Sequence, residues 1–133
     1  VLMKKESVDK NWDFSVNVSP AGFVGESATE NIAMISASDE LLVPSFKYTL
    51  RGTTLLRLME LIRPHVKSVE EKDLTPQDFL AAQEVMMLGT TIGAVPVTKF
   101  DDREIGNGKP GKYAALLQKL FYADILATAP TEF

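Results

Sequence analysis

Twice in this chain a glycine is followed by two threonines. Gly52-Thr53-Thr54 heads the stretch "RGTTLLRLMELI", and Gly89-Thr90-Thr91 lies within "MLGTTIG". A glycine permits a tight turn or the close approach of a ligand. Two hydroxyls followed by unpaired amides are the donors a bound anion needs. The same letters are also ordinary cap and turn chemistry: Thr53 or Thr54 can cap the helix that follows, and the second tripeptide can be a plain turn after an apolar run. Neither copy has the four-residue spacer and lysine of a P-loop, which excludes a nucleotide-triphosphatase reading. In "GFVGESATENIAMI", Glu26 stands near a strand end among Gly25, Ser27 and Ala28, small residues that leave room above its carboxylate. Such a group can hold a protonated ring nitrogen, or simply face water as a turn acid. His65 is the only histidine; without a companion it argues against a metal or triad role. The Gly-rich "DDREIGNGKPG" can serve as a mobile lid or merely connect elements.

The elements that must position these groups are short. Val1 to Asn11 reads as the tail of a helix. Phe14 to Val18 alternates as a strand and joins Phe23-Val24 through the turn "SPAG". Asn31 to Ser36 and Leu41 to Val43 form a strand pair around "ASDE". Leu55, Leu58, Met59 and Ile62 have the spacing of a buried helix face, closed by Pro64. Val66 to Leu74 is charged and extended. A second helix opens with Thr75 as N-cap, Pro76 at its first position and Asp78 at its third. Val85 to Leu88 and Ala94 to Thr98 flank the second tripeptide as strands. After the Gly-rich loop, Lys112 to Leu126 closes the chain as a helix with Leu117, Leu120 and Phe121 turned inward. The expected class is mixed α/β of the α+β kind, with many strands antiparallel.

Composition bounds what such a scaffold can do. At 133 residues and 45% hydrophobic content the chain fits one domain with a real core. A net charge of −4 speaks against nucleic-acid binding. No apolar run reaches the roughly 20 residues of a membrane span. Cysteine is absent, so thiolate nucleophiles, disulfides and Cys-based zinc sites are excluded. The opening "VLMKKESVDKNWDF" has no signal-peptide pattern and no initiator methionine, as expected of part of a longer protein.

Taken in order, "GFVGESATENIAMI", "LRGTTLLRLMEL" and "EVMMLGTTIGAVPVTKFDDREIGNGKPG" resemble the pyridoxal-phosphate class IV aminotransferases of fold type IV, a family that includes branched-chain and D-amino acid aminotransferases and aminodeoxychorismate lyase. The resemblance covers nearly the whole chain but only the family's C-terminal domain, with short strands in a barrel-like sheet arrangement and packing helices. It implies that residues 1–133 are the cofactor-binding domain of a two-domain enzyme whose N-terminal domain is absent here. By that resemblance Glu26 partners the pyridine nitrogen. Leu50 packs on the ring, while Gly52 and the amides of Thr53 and Thr54 cradle the 5′-phosphate. Thr90 adds a second phosphate contact, and the amides of Thr90 or Thr91 and Ile92 face the substrate carboxylate. Thr29 is a weaker phosphate neighbour, at a position where members differ.

The chain departs from the family pattern in places. Arg51 stands where Pro is common, Thr53 where Ile is common, and Thr91-Ile92 where Ala-Ala is common. Amide binding survives the first two changes, whereas the third reshapes the substrate side. The Schiff-base lysine falls ahead of Val1, since Lys4 and Lys5 are too close to Glu26; no catalytic residue is therefore expected in this stretch, nor activity from it alone. The implied activity is amino-group transfer between an amino acid and a 2-oxo acid by a cytoplasmic homodimer, of branched-chain type, with no nucleic-acid or membrane partner. The alternatives are a lyase of the aminodeoxychorismate type on the same site, and a non-catalytic binding domain if these residues are the whole mature chain.

Overall fold

A strand made from an unbroken apolar run such as "EVMMLG" must bury both of its faces. In the computed structural model, which describes residues 2–6, 11–25, 30–45, 53–90, 92–100 and 103–128, this is what the central sheet does. Its strands are β3 (Asn31–Ile35), β4 (Glu40–Pro44), β5 (Ser68–Lys72), β6 (Glu84–Gly89) and β7 (Gly93–Val97), in the order β5-β4-β3-β6-β7. All neighbours are antiparallel except β4 and β5. A parallel pair needs a crossover, and helix α1 (Thr53–Ile62) lies in the connection between β4 and β5. A second sheet has the order β2-β1-β8-β9, from β1 (Leu2–Glu6), β2 (Asn11–Ser15), β8 (Lys99–Phe100) and β9 (Arg103–Glu104). The mixed α/β class is as expected; the barrel-like arrangement takes the form of two open sheets, with no closed barrel among the described residues.

Residue parity divides the core. Ala33, Ile35, Leu41, Val43, Met86, Leu88 and Ala94 face a cluster completed by Leu55, Leu58 and Ile62 of α1 and by Tyr113, Ala114 and Leu117 of α3 (Lys112–Thr128). Ile32, Met34, Leu42, Val85, Met87, Val95 and Val97 face the other cluster, with Leu74, Phe100 and Phe79 of α2 (Pro76–Leu80). Phe79 stacks on Phe100 at 6.0 Å between ring centroids. The capping box of α2 is as expected: the Thr75 amide donates to Asp78 Oδ2 at 2.8 Å, and the Asp78 amide donates back to Thr75 Oγ1.

Four expectations need correction. Residues 2–6 are a strand, not a helix tail: Leu2 pairs opposite Ser15 and Glu6 opposite Asn11. Five residues are too few to display a helical period, so the partner strand decides the conformation. The following strand begins at Asn11 rather than Phe14, and Val18 makes only an isolated bridge to Val24. The Gly-rich loop is also not wholly irregular, because Arg103–Glu104 pairs with Lys99–Phe100. In α3, Leu117 is fully buried but Leu120 and Phe121 only half so; Tyr113 and Ala114 complete the inward face.

Candidate functional site

Leu55, Leu58 and Ile62 recur on one stripe of α1 and are at most 2% exposed. Their burial holds the helix across the sheet. Its first turn meets the end of the sheet where β6 stops at Gly89 and β7 starts at Gly93. There Thr54 Oγ1 and Thr90 Oγ1 lie 2.7 Å apart, from positions 36 residues apart in sequence. The helix is described from Thr53 onward, so Thr53 and Thr54 both lie at its start. No acidic side chain occupies that turn, and the unpaired N–H groups of a helix start favour negative charge.

The turn bearing Thr90 is held by α3. Gln118 Oε1 accepts the Ala94 amide at 2.7 Å, and its Nε2 donates to the Ile92 carbonyl at 3.2 Å. Between them Gly93 has φ +67°, and a Cβ there would run into the Gln118 amide. The helix α1 is tied to α3 as well. Arg57 Nε donates to Asp124 Oδ2 at 3.0 Å, a second guanidinium nitrogen reaches Oδ1, and Nη1 contacts Glu60 at 3.0 Å. Hydrogen bonding from Arg57 holds the Asp124 carboxyl below its ordinary range. The same pairing pushes the guanidinium further up.

The flank of the glutamate motif reaches the same place. Asn31 pairs opposite Leu88, and the Glu30 Cγ stands against Gly89. Glu26, Thr29, Leu50, Gly52 and Thr91 lie outside the described residues. Of the expected contacts that are described, Thr54 and Thr90 converge, Thr53 is exposed in the same helical turn, and Ile92 is half-buried just beyond Thr90. His65 is exposed at the end of the 3-10 turn Arg63–His65, away from this cluster. Among the described residues there is no group of His, Asp and Glu that could hold a metal ion, and no helix long and apolar enough to cross a membrane.

Polar groups at the opposite end of the sheet have another role. Glu84, 7% exposed, accepts the amides of Tyr113 and Ala114 at 2.9 and 3.1 Å and so caps the start of α3. Gly111 leaves the room its carboxylate needs. Asp39, in the left-handed region at φ 61°, accepts from Gln83 Nε2 and Tyr113 Oη, each at 3.0 Å. These bonds, Gln83's first, lower the Asp39 pKa. Burial, then Asp39, raises that of the Tyr113 phenol. Sequence reasoning singles out none of Gln118, Asp124, Arg57 or Glu84. Their partners are distant in the chain, and only Glu84, an acid opening an otherwise apolar strand, carries a local sign of its use.

Comparison with known proteins bears on this arrangement. The family pattern for amino-transferase class IV matches residues 1–100. A branched-chain-amino-acid aminotransferase-like protein 2 of Arabidopsis thaliana is 36% identical over 121 residues, covering 91% of this chain and 22% of that protein. A D-alanine aminotransferase of Bacillus licheniformis is 28% identical over 131 residues, 98% of this chain and 46% of that one. Among solved structures, an Escherichia coli branched-chain amino acid aminotransferase superposes with a TM-score of 0.77 at 28% identity, covering 90% of this chain and 39% of that one. Another branched-chain amino acid aminotransferase, crystallised in complex with N-(5′-phosphopyridoxyl)-L-glutamate, shares the fold, with a TM-score of 0.81 at 24% identity over 89% of this chain and 39% of that one. The chain thus spans less than half the length of each of these proteins.

Proposed function

Because the chain belongs to the class IV aminotransferase family, we propose that it is the phosphate-gripping domain of a longer enzyme that moves an amino group between an amino acid and a 2-oxo acid with pyridoxal 5′-phosphate. The observation that carries this reading is the 2.7 Å meeting of the Thr54 and Thr90 hydroxyls at the start of α1. The residues present fit the group. Two hydroxyls converge at the positive end of a helix whose first turn carries no acid, which is the donor set a phosphate dianion selects. Bound there, the cofactor would supply the electron sink for the transfer.

This chain's own contribution is to bind and orient. One of the Thr54 and Thr90 hydroxyls donates to the other, the second hydroxyl hydrogen is left for a phosphate oxygen, and the first-turn amides of α1 add their dipoles. On the family resemblance, the amides of Thr90 or Thr91 and of Ile92 face the substrate carboxylate. Glu26, on the resemblance of its motif, sets its anion against the ring nitrogen and keeps a proton there. The lysine that joins the cofactor belongs to the N-terminal part of the longer protein. The homodimer, the cytoplasmic setting and the preference for branched-chain substrates rest on the family resemblance.

The test is made on the full-length protein, comparing pyridoxal 5′-phosphate with pyridoxal, which lacks the phosphate. Thr54→Ala and Thr90→Ala should each weaken pyridoxal 5′-phosphate by about 0.5–1.5 kcal/mol, rising to about 3 for a hydrogen bond to a charged group. Pyridoxal affinity should stay as it was. Equal losses for both ligands, or none for either, would show that the hydroxyl pair is only a packing contact.

A further inference from the structure

Regular geometry does not place Thr90 relative to Thr54. Thr54 belongs to a helix and Thr90 to a turn, and 36 positions separate them. Helix α3 touches both. At Gln118 the carboxamide spans Gly93, taking the Ala94 amide on one side and reaching the Ile92 carbonyl on the other, and so braces from outside the turn that the Gly89–Gly93 pair closes. Farther along, Asp124 grips Arg57, which stands one turn past Thr54 on α1. The start of α3 is fixed at a further point by Glu84. A helix held at its origin can therefore transmit a set spacing to both halves of the hydroxyl pair.

We infer that Gln118 is a positioning residue for the phosphate grip: through it α3 sets where the Thr90 hydroxyl stands against Thr54, while Asp124 holds the helix half. The inference rests on reading that hydroxyl pair as phosphate-binding. A purely structural role is a different claim with a different signature. Gln118 is exposed, but its bond to the Ala94 amide is part-buried, so deleting it also costs the fold something, and only a loss of phosphate-dependent affinity beyond that cost marks positioning. The Gly89–Gly93 pair and the packing of Ile92 still hold the turn, but a small shift of the hydroxyl is enough, because anion contacts depend steeply on alignment.

The experiment uses the full-length protein and measures dissociation of pyridoxal 5′-phosphate and of pyridoxal, together with the unfolding midpoint. Gln118→Met keeps the length of the side chain and deletes both hydrogen bonds. It should weaken pyridoxal 5′-phosphate by about tenfold per folded molecule, with pyridoxal changed by less than about twofold and the midpoint lowered only modestly. Gln118→Glu keeps the acceptor for Ala94 but sets a carboxylate oxygen against the Ile92 carbonyl, so it too should lose phosphate-dependent affinity. It carries the same test should Gln118→Met not fold. Thr90→Ala is run alongside. If Thr90→Ala loses phosphate-dependent affinity while the Gln118 variants match wild type, the positioning role is overturned and the grip stands. If Thr90→Ala leaves that affinity intact, the phosphate reading fails and takes this inference with it. A loss of stability with unchanged affinity per folded molecule overturns the inference too.

Discussion

The two Gly-Thr-Thr segments are spelled alike, yet their threonines are held in different ways. The first copy is secured by the element it opens. Thr53 and Thr54 begin α1, whose stripe of Leu55, Leu58 and Ile62 is buried in the core, so the hydroxyl of Thr54 goes where the helix goes. The second copy ends a strand and enters a turn that the Gly89–Gly93 pair closes and Ile92 packs on the core, but Thr90 itself is exposed, and the bonds across Gly93 come from a side chain on another helix. Identical letters thus draw their precision from packing in one case and from bracing in the other. A site built from both halves is vulnerable in two separate ways.

The largest expected effect breaks the packed half. Leu58 is fully buried beneath α1, and Leu58→Ala should destabilise the protein by about 2–5 kcal/mol in a denaturant titration. A loss well below that range would mean that α1 is not held by its core stripe. The next effect breaks the braced half. Gly93→Ala must adopt φ +67° and pushes into the Gln118 amide, at a cost of about 1–3 kcal/mol. Here the loss of phosphate-dependent cofactor affinity should exceed what the stability loss explains, whereas Leu58→Ala should lower affinity only through the unfolded fraction. Indistinguishable behaviour of the two variants would erase the distinction between packing and bracing.

How far the sequence can be read follows the same division. The stripe on α1, the Thr75–Asp78 capping box and the strands around the second tripeptide are local patterns, and all appear where the periodicity and cap chemistry put them. The order of motifs carries the family, whose resemblance implies that Thr54 and Thr90 serve one phosphate; the close approach of their hydroxyls is seen only in the folded chain. Residues 2–6 mislead because Leu-Met-Lys-Lys-Glu has no period of its own; the ladders to β2 and β8 choose the strand. Gln118 is hidden for a related reason. A glutamine on an exposed helical position looks like solubilising surface, and its meaning depends on the distant Gly93, whose φ leaves its flanking peptide groups to be bridged. The Arg57–Asp124 tie, 67 positions apart, is equally unreadable without the packing of α1 on α3.

That tie supplies the smallest of the effects, and pH isolates it. Arg57 holds the Asp124 pKa below its ordinary 3.8 in the folded protein. A carboxyl with a depressed folded pKa contributes stability that is fully present above its unfolded value and lost as pH falls through the folded one. The Asp124 contribution should therefore be constant above about pH 4–5 and vanish as pH drops below 3.8 toward the folded value. Asp39 is depressed as well, by Gln83 and Tyr113 at the far end of the sheet, so the acid response of wild type alone would mix the two. The informative quantity is the difference in stability between wild type and Asp124→Asn, followed by denaturant titration across that window. It should be small, because Arg57 is half exposed and its charge is screened by water, and it should close only at the acid end. A difference that persists unchanged to about pH 2 would show that Asp124 braces α1 by shape rather than by charge. The charge-based link between the packed half and α3 would then have to be given up.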